Sequence, residues 1–253
     1  MTPVKLKQMG KIITFNIMRK IIAIVCAIPV FLAGCSSECI QDSGKRVFKG
    51  TVEKNFDQIK VTGAIKLVLK QDSSYTIKIG ADSNVVNLVR TDVSSGELRV
   101  KLDDGIYCGT DSVVVSVGIG ELKKLNTVGA VKVVGDGRIY ATDVDLKLEG
   151  ASDVSLDLSA SKLVTRIDGV GKLALTGQTG VHNLTAKGTS VINAFDFVAG
   201  IYDINIDGTG KANINVLNDL KIRTSGSSEV YYKGNPKKVD EKKSGATKLE
   251  KVN

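Results

Sequence analysis

The sequence predicts an all-β fold, a right-handed parallel β-solenoid (β-helix-like) of about 19–20 residues per rung. Three observations carry this. First, a glycine corner recurs at Gly129, Gly150, Gly169, Gly188, Gly208, Gly226 and Gly245, at spacings of 21, 19, 19, 20, 18 and 19 residues. Second, mostly apolar columns flank it: Leu125, Leu146, Thr165, Leu184, Ile204 and Ile222 four residues before, and Val133, Val154, Leu173, Ile192, Ala212, Val230 and Leu249 four after. Apolar residues two apart on each side of a glycine describe half-buried strands meeting at a tight corner. Third, no run holds the three-and-four spacing of an amphipathic helix. A strand–turn–strand unit this short cannot bury its own apolar face, whereas parallel stacked copies can, and parallel crossovers are right-handed.

In chain order, residues 1–34 read as a lipoprotein signal sequence. Arg19 and Lys20 precede an apolar run from Ile21 to Leu32, too short to span a bilayer, and Leu32-Ala33-Gly34-Cys35 closes it. That junction resembles a bacterial lipobox, which implies cleavage before Cys35 and lipidation of its sulfur. The leader also explains the charge. The 253 residues carry +8, but five of the 35 bases and none of the 27 acids lie in residues 1–34, leaving 30 bases against 27 acids. That balance gives no footprint for a nucleic-acid partner.

Residues 35–46 read as a linker after the lipidated cysteine, and residues 47–253 as one solenoid domain. Cys39 and Cys108 remain once Cys26 and Cys35 belong to the leader and the anchor. In an exported chain they either form one disulfide or stay free, and sequence spacing does not decide. Residues 47–120 read as irregular opening rungs, with strands at Phe56–Val61, Ile65–Leu69, Tyr75–Ile79, Leu98–Leu102 and Val113–Val117 and an excursion over Asp82–Arg90. Terminal repeats must cap an open edge and are therefore atypical. Residues 121–253 read as regular rungs ending in a cap, where Glu241, Lys242 and Lys243 displace the apolar columns.

With Phe56-Asp57-Gln58-Ile59-Lys60-Val61-Thr62-Gly63, Leu98-Arg99-Val100 and the Gly-x-Ser/Gly/Thr corners, the chain resembles the auto-transporter adhesin, head GIN domain family of exported bacterial proteins. The resemblance covers roughly Phe48 to Val252. It implies a β-helix-like fold and an adhesin-like role, and it brings no catalytic residues.

Candidates for chemistry are few. His182 is the sole histidine, so no histidine triad or multi-histidine metal site can form, and it reads as an outward surface residue. Asp103-Asp104-Gly105 lacks the further oxygen ligands of an EF-hand and reads as a hairpin turn. Phe195 and Phe197 read as core. The column three before the glycine places Lys147 and Arg166 on adjacent rungs, and the column one before it holds Asp168 and Asp207. These four make the candidate ligand face, for a glycan or an envelope or host surface protein. No cofactor and no metal are expected. The reading is a non-catalytic, lipid-anchored outer-membrane protein that meets the membrane through its anchor. The alternatives are a polysaccharide-processing enzyme, because lyases share β-helices, or a purely structural envelope protein.

Overall fold

The computed structural model describes residues 39–105 and 107–252, so the signal sequence and Cys35 lie outside the described residues. The elements are β1 (Arg46–Val52), β2 (Gln58–Thr62), β3 (Ile65–Gln71), β4 (Thr76–Asp82), a 3₁₀ turn (Val86–Leu88), β5 (Val89–Ser94), β6 (Glu97–Leu102), β7 (Val113–Ile119), β8 (Lys124–Lys233), β9 (Lys238–Lys243) and β10 (Ala246–Lys251). The fold is all-β.

β8 is one continuous run of 110 extended residues, and it folds back on itself. Gly150 lies against the backbone of Gly129, Gly169 against Gly150, Gly188 against Gly169, Gly208 against Gly188, Gly226 against Gly208 and Gly245 against Gly226. The corner glycines therefore form a ladder in direct backbone contact, each with positive φ. β9 and β10 extend it, pairing in parallel with Asp219–Thr224 and Ser227–Tyr232 of β8. At the other end β2 and β3 pair in parallel with Lys124–Val128 and Val131–Gly135.

The expected all-parallel sheet is corrected. Two strand series leave β8, β2-β6-β5 and β3-β7-β4-β1, and their outer members run antiparallel: β5 on β6, β4 on β7 and β1 on β4. The physical reason for the first is local. Ser95 and Gly96 join β5 to β6 with φ of 52° and 77°, and two successive positive φ values make the tight turn that antiparallel strands require. β5 and its turn lay unread between the excursion and Leu98. β1 was also missed, and residues 39–45 are not a free linker. Ile40 bridges Tyr107, and Asp82, buried, accepts from the N–H and Oγ of Ser43 at 2.9 and 2.8 Å and from the Asn84 N–H at 2.8 Å. Those bonds, the Asn84 N–H foremost, hold the Asp82 carboxyl below its ordinary pKa. Asp103–Gly105 is no hairpin turn either; it is a bend in the loop that leaves β6.

The core fills the columns. Leu125, Leu146, Thr165, Leu184, Ile204 and Ile222 are all buried, as are Val133, Val154, Leu173, Ile192, Ala212 and Val230. A further inward column stands two residues after the corner, where Val131, Ser152, Gly171, Ser190, Gly210 and Ser228 are buried. Its residues are mostly small. Their size answers the residue across the corner. A Cβ on Gly171 would meet Ile167 Cγ2 at 2.3 Å, and one on Gly210 would meet Ile206 Cγ2 at 2.7 Å. Where the facing residue is threonine, hydroxyls instead bond between rungs, Thr127 to Ser152 at 2.8 Å and Thr224 to Thr247 at 2.9 Å.

Candidate functional site

His182 is the largest correction among the candidate residues. It is fully buried, because it lies two and four residues before Leu184 and Ala186 and strand side chains alternate with period two. It stands between Phe197 (ring centroids 5.8 Å) and Tyr202 (4.6 Å), and its Nε2 hydrogen-bonds Thr165 Oγ1 at 3.0 Å. Desolvation lowers its pKa to about 3, so the ring is neutral, and burial pushes the Tyr202 phenol upward. This is an enclosed packing cluster with no opening to substrate. Phe197 is core, while Phe195 is half-buried beneath the Lys233 ammonium, 4.9 Å from its ring.

The four residues of the candidate ligand face are outward. Arg166 Nη1 donates to both oxygens of Asp145 at 2.7 and 2.9 Å, Lys147 pairs with Glu149 at 2.8 Å, and Asp207 accepts from Ser225 Oγ at 2.6 Å. Asp168 is exposed. Lys147, Arg166 and Asp168 lie on adjacent rungs, and Asp207 two rungs beyond Asp168. Their partners are neighbours in the same surface, and exposed pairs of this kind contribute only about 0–1 kcal/mol.

A cavity of about 330 Å³ lies beside this face, past Lys123, Asp145 and Lys162, and larger concave surfaces lie at the glycine corner. One residue past each glycine the side chains are short, with Ala64, Ala130 and Ala151 exposed there, and the strands lead away from the corner on either side. A shallow groove of about 490 Å³ follows the corner past Ala130, Ala151, Val170 and Val191. It runs into a deeper cleft of about 560 Å³, sharing Ala130 and Lys132 with it.

The cleft exists because the ladder is interrupted. Where the next rung would supply a glycine, β6 ends at Leu102 and β7 begins at Val113, and a loop joins them. Cys108 of that loop is disulfide-bonded to Cys39, with Cα atoms 5.6 Å apart. The Cys108 N–H also donates to the Ile40 carbonyl at 3.0 Å, and Asp42 accepts from the N–H groups of Thr110 and Asp111 at 2.7 and 3.1 Å. Ile40, Asp42, Tyr107, Gly109 and Asp111 form one wall, and Ile65, Val85, Leu102 and Val113 lie beneath. Burial, and then the Asp103 and Asp104 carboxylates, raise the Tyr107 phenol above its ordinary pKa. The sequence offered the pair of cysteines as a signal, but nothing that located the cavity beside them.

Lys66 and Lys132 stand at the cleft's edge on paired strands and face each other in register. Lys132 has Asp153 at 3.7 Å; Lys66 has no ion pair among the described residues. Among these residues there is also no group of three or more His, Cys, Asp or Glu placed to hold a metal ion, and no helix long and apolar enough to cross a membrane.

Solved structures similar to this chain share its fold. A "putative adhesin" of Bacteroides fragilis is 20% identical, with TM-score 0.75, covering 84% of this chain and 100% of its own. A second "putative adhesin", from Parabacteroides distasonis, is 20% identical with TM-score 0.66, over 85% of this chain and 100% of its own. A "putative lipid binding protein" from the same species is 19% identical with TM-score 0.63, over 85% and 100%. No protein of curated function matches the sequence significantly. The family model described as "Putative auto-transporter adhesin, head GIN domain" matches residues 55–236, most of the strand-forming chain, and the protein belongs to that family.

Proposed function

We propose that the protein is an exported, lipid-anchored cell-envelope binding module, adhesin-like and non-catalytic, whose described residues form a right-handed parallel β-solenoid capped by antiparallel strands. The observation that carries this reading is the corner itself. The rungs present one long, exposed, slightly concave surface, and its side chains are the short or charged ones that bind without reacting. Family membership supports an envelope role. A disulfide between Cys39 and Cys108 belongs to an oxidising compartment, and the Leu32-Ala33-Gly34-Cys35 junction supports an anchor only four residues before Cys39. Right-handedness rests on the general rule for parallel crossovers. Among the described residues the lyase alternative has no group of three or more acidic, histidine or cysteine side chains placed to hold a calcium ion.

Two experiments test this reading. Cys35→Ser in the full chain should release the protein from membranes, because the Ser36-Ser37-Glu38 segment that follows has no apolar stretch to replace a diacyl anchor; persistence as an integral membrane species would refute the anchor. The released protein should then bind an envelope glycan or intact cells in a surface screen and leave polysaccharides uncut with and without calcium. Turnover would refute the non-catalytic reading.

A further inference from the structure

We propose that the cleft at the disulfide end binds an anionic single-chain lipid, a fatty acid in the simplest case, with its head on Lys66 and Lys132 and its acyl chain in the cleft. Lys66 and Lys132 lie opposite each other on paired parallel strands. Two like charges so placed destabilise a sheet unless something neutralises them. The local acids are already engaged. Asp42 accepts two backbone N–H groups, and Asp111 faces Arg46 at 3.4 Å. Among the described residues only Asp153 forms an ion pair with either lysine, and it reaches Lys132 alone, at 3.7 Å. The formal charges lining the cleft balance, Asp42 and Asp111 against Lys66 and Lys132, but the Lys66 ammonium has no ion-pair partner among the described residues, and an anionic head group set between the two lysines supplies one.

Behind the lysines the floor is apolar, while Asp42, Asp111 and Ser112 make the wall polar. Ile40, Val85, Leu102 and Val113 line the cleft, and its volume of about 560 Å³ falls within the roughly 300–1,000 Å³ of small-molecule sites. A chain longer than the cleft has a continuation in the corner groove over Ala130, Ala151 and Val170. An uncharged glycan fits poorly, since Tyr107 is the single aromatic residue lining the cleft. A wall held by a disulfide, a bridge and the Asp42 bonds is also pre-formed, which lowers the ordering cost of binding. The proposal rests on the reading of the chain as a binding module and is independent of any glycan at the outward face.

The test uses the mature chain carrying Cys35→Ser, with the Cys39–Cys108 pair oxidised, and dansylated undecanoic acid as a fluorescent probe displaced by laurate. Saturable binding below the micellar concentration is expected. The double reversal K66E/K132E should weaken it at least tenfold, Ala130→Trp should block it, and Lys238→Glu, exposed on β9, should leave it unchanged, with circular dichroism confirming that each variant folds. Dodecanol, the same chain without the charge, should displace the probe at least tenfold less well than laurate. No saturable binding, or binding that survives both K66E/K132E and Ala130→Trp, would overturn the proposal. A chain that binds glycan or cells but not the probe would overturn it and leave the broader reading standing.

Discussion

Replacing one corner glycine by alanine measures how far the ladder holds the fold together. Gly188 has φ +95°, and a Cβ there would lie 2.4 Å from the Gly169 carbonyl oxygen and 3.2 Å from its carbon. Gly137 has nearly the same backbone, φ +90°, with nothing within 4 Å of the added carbon. Both substitutions incur the left-handed penalty for an L-residue, about 1–2 kcal/mol, partly offset by about 0.4–1 kcal/mol from a stiffer unfolded chain. Only Gly188→Ala must also push two rungs apart, and the obstacle is backbone that cannot rotate away. Overpacking of that kind costs about 1–3 kcal/mol more. Urea unfolding of the two variants at pH 7.5, followed by circular dichroism with the slope checked for constancy, should show Gly137→Ala within about 1.5 kcal/mol of the parent and Gly188→Ala lower by a further 1–3 kcal/mol or so. Equal losses would refute the claim that direct glycine-on-glycine contact, and not the turn conformation alone, selects glycine at the corner.

Three further outcomes are expected. His182 is neutral in the fold, with a pKa near 3 against 6.5 in the unfolded chain. Its contribution is therefore complete above pH 6.5 and is lost as pH falls toward 3, about 2 kcal/mol by pH 5. Unfolding at pH 7.5 and pH 5 should show that loss in the parent, and His182→Phe should remove this component. Ile206→Asp should unfold much of the chain, since Ile206 is 1% exposed and a carboxylate in its place could not be solvated. Asp207→Ser should cost under about 0.5 kcal/mol, as surface changes do, and comparable melting losses for the two would contradict the alternation of faces. Reduction of the Cys39–Cys108 pair should lower stability by about 2–4 kcal/mol, the usual worth of a long-loop disulfide, read as a shift in the urea midpoint with and without dithiothreitol; an unchanged midpoint would mean that residues 39–45 dock without it.

The regular part of the fold was legible in sequence because a repeat states the same physical demand many times. The inward columns around Gly129 to Gly245 could be read by vote, so that Thr165 is assigned inward although threonine alone suggests nothing. Single positions had no such help. His182 occupies an inward column with Leu163, Tyr202 and Leu220 as its counterparts, yet polarity suggested surface, and only its parity with Leu184 corrects that. The serines and glycines two after the corner carry no inward signal for a related reason: composition reports polarity, whereas the position demands small volume opposite Ile167 or Ile206. β1 and β5 escaped because each occurs once, and a strand exposed along most of its length, as β1 is, carries little apolar signal. The outward face of Lys147, Arg166, Asp168 and Asp207 was found as a surface, but its concavity could not be assessed from columns.

The placement of the cleft follows from the ladder that makes the rest of the fold legible. Along Gly129 to Gly245 each corner is filled by the backbone of its neighbours, so a deep cavity would break contacts on both sides, and only the shallow groove past Ala130, Ala151, Val170 and Val191 follows the corner. Variation along these rungs falls on outward side chains, which the structure shows largely pairing with one another, and on inward positions whose size answers the residue they face. At β6 and β7 the corner glycine is replaced by the 103–112 loop, and contact with the ladder ends at Gly63, whose added Cβ would meet Leu102 Cβ at 2.9 Å. A chain freed from the ladder needs another restraint to keep a defined shape, and the Cys39–Cys108 bond with the Asp42 hydrogen bonds supplies it. A restrained loop over short alanine corners leaves space that a regular rung would have filled. The capping end, which any stacked sheet must build to close its open edge, is thus also where this fold can hold a ligand in depth.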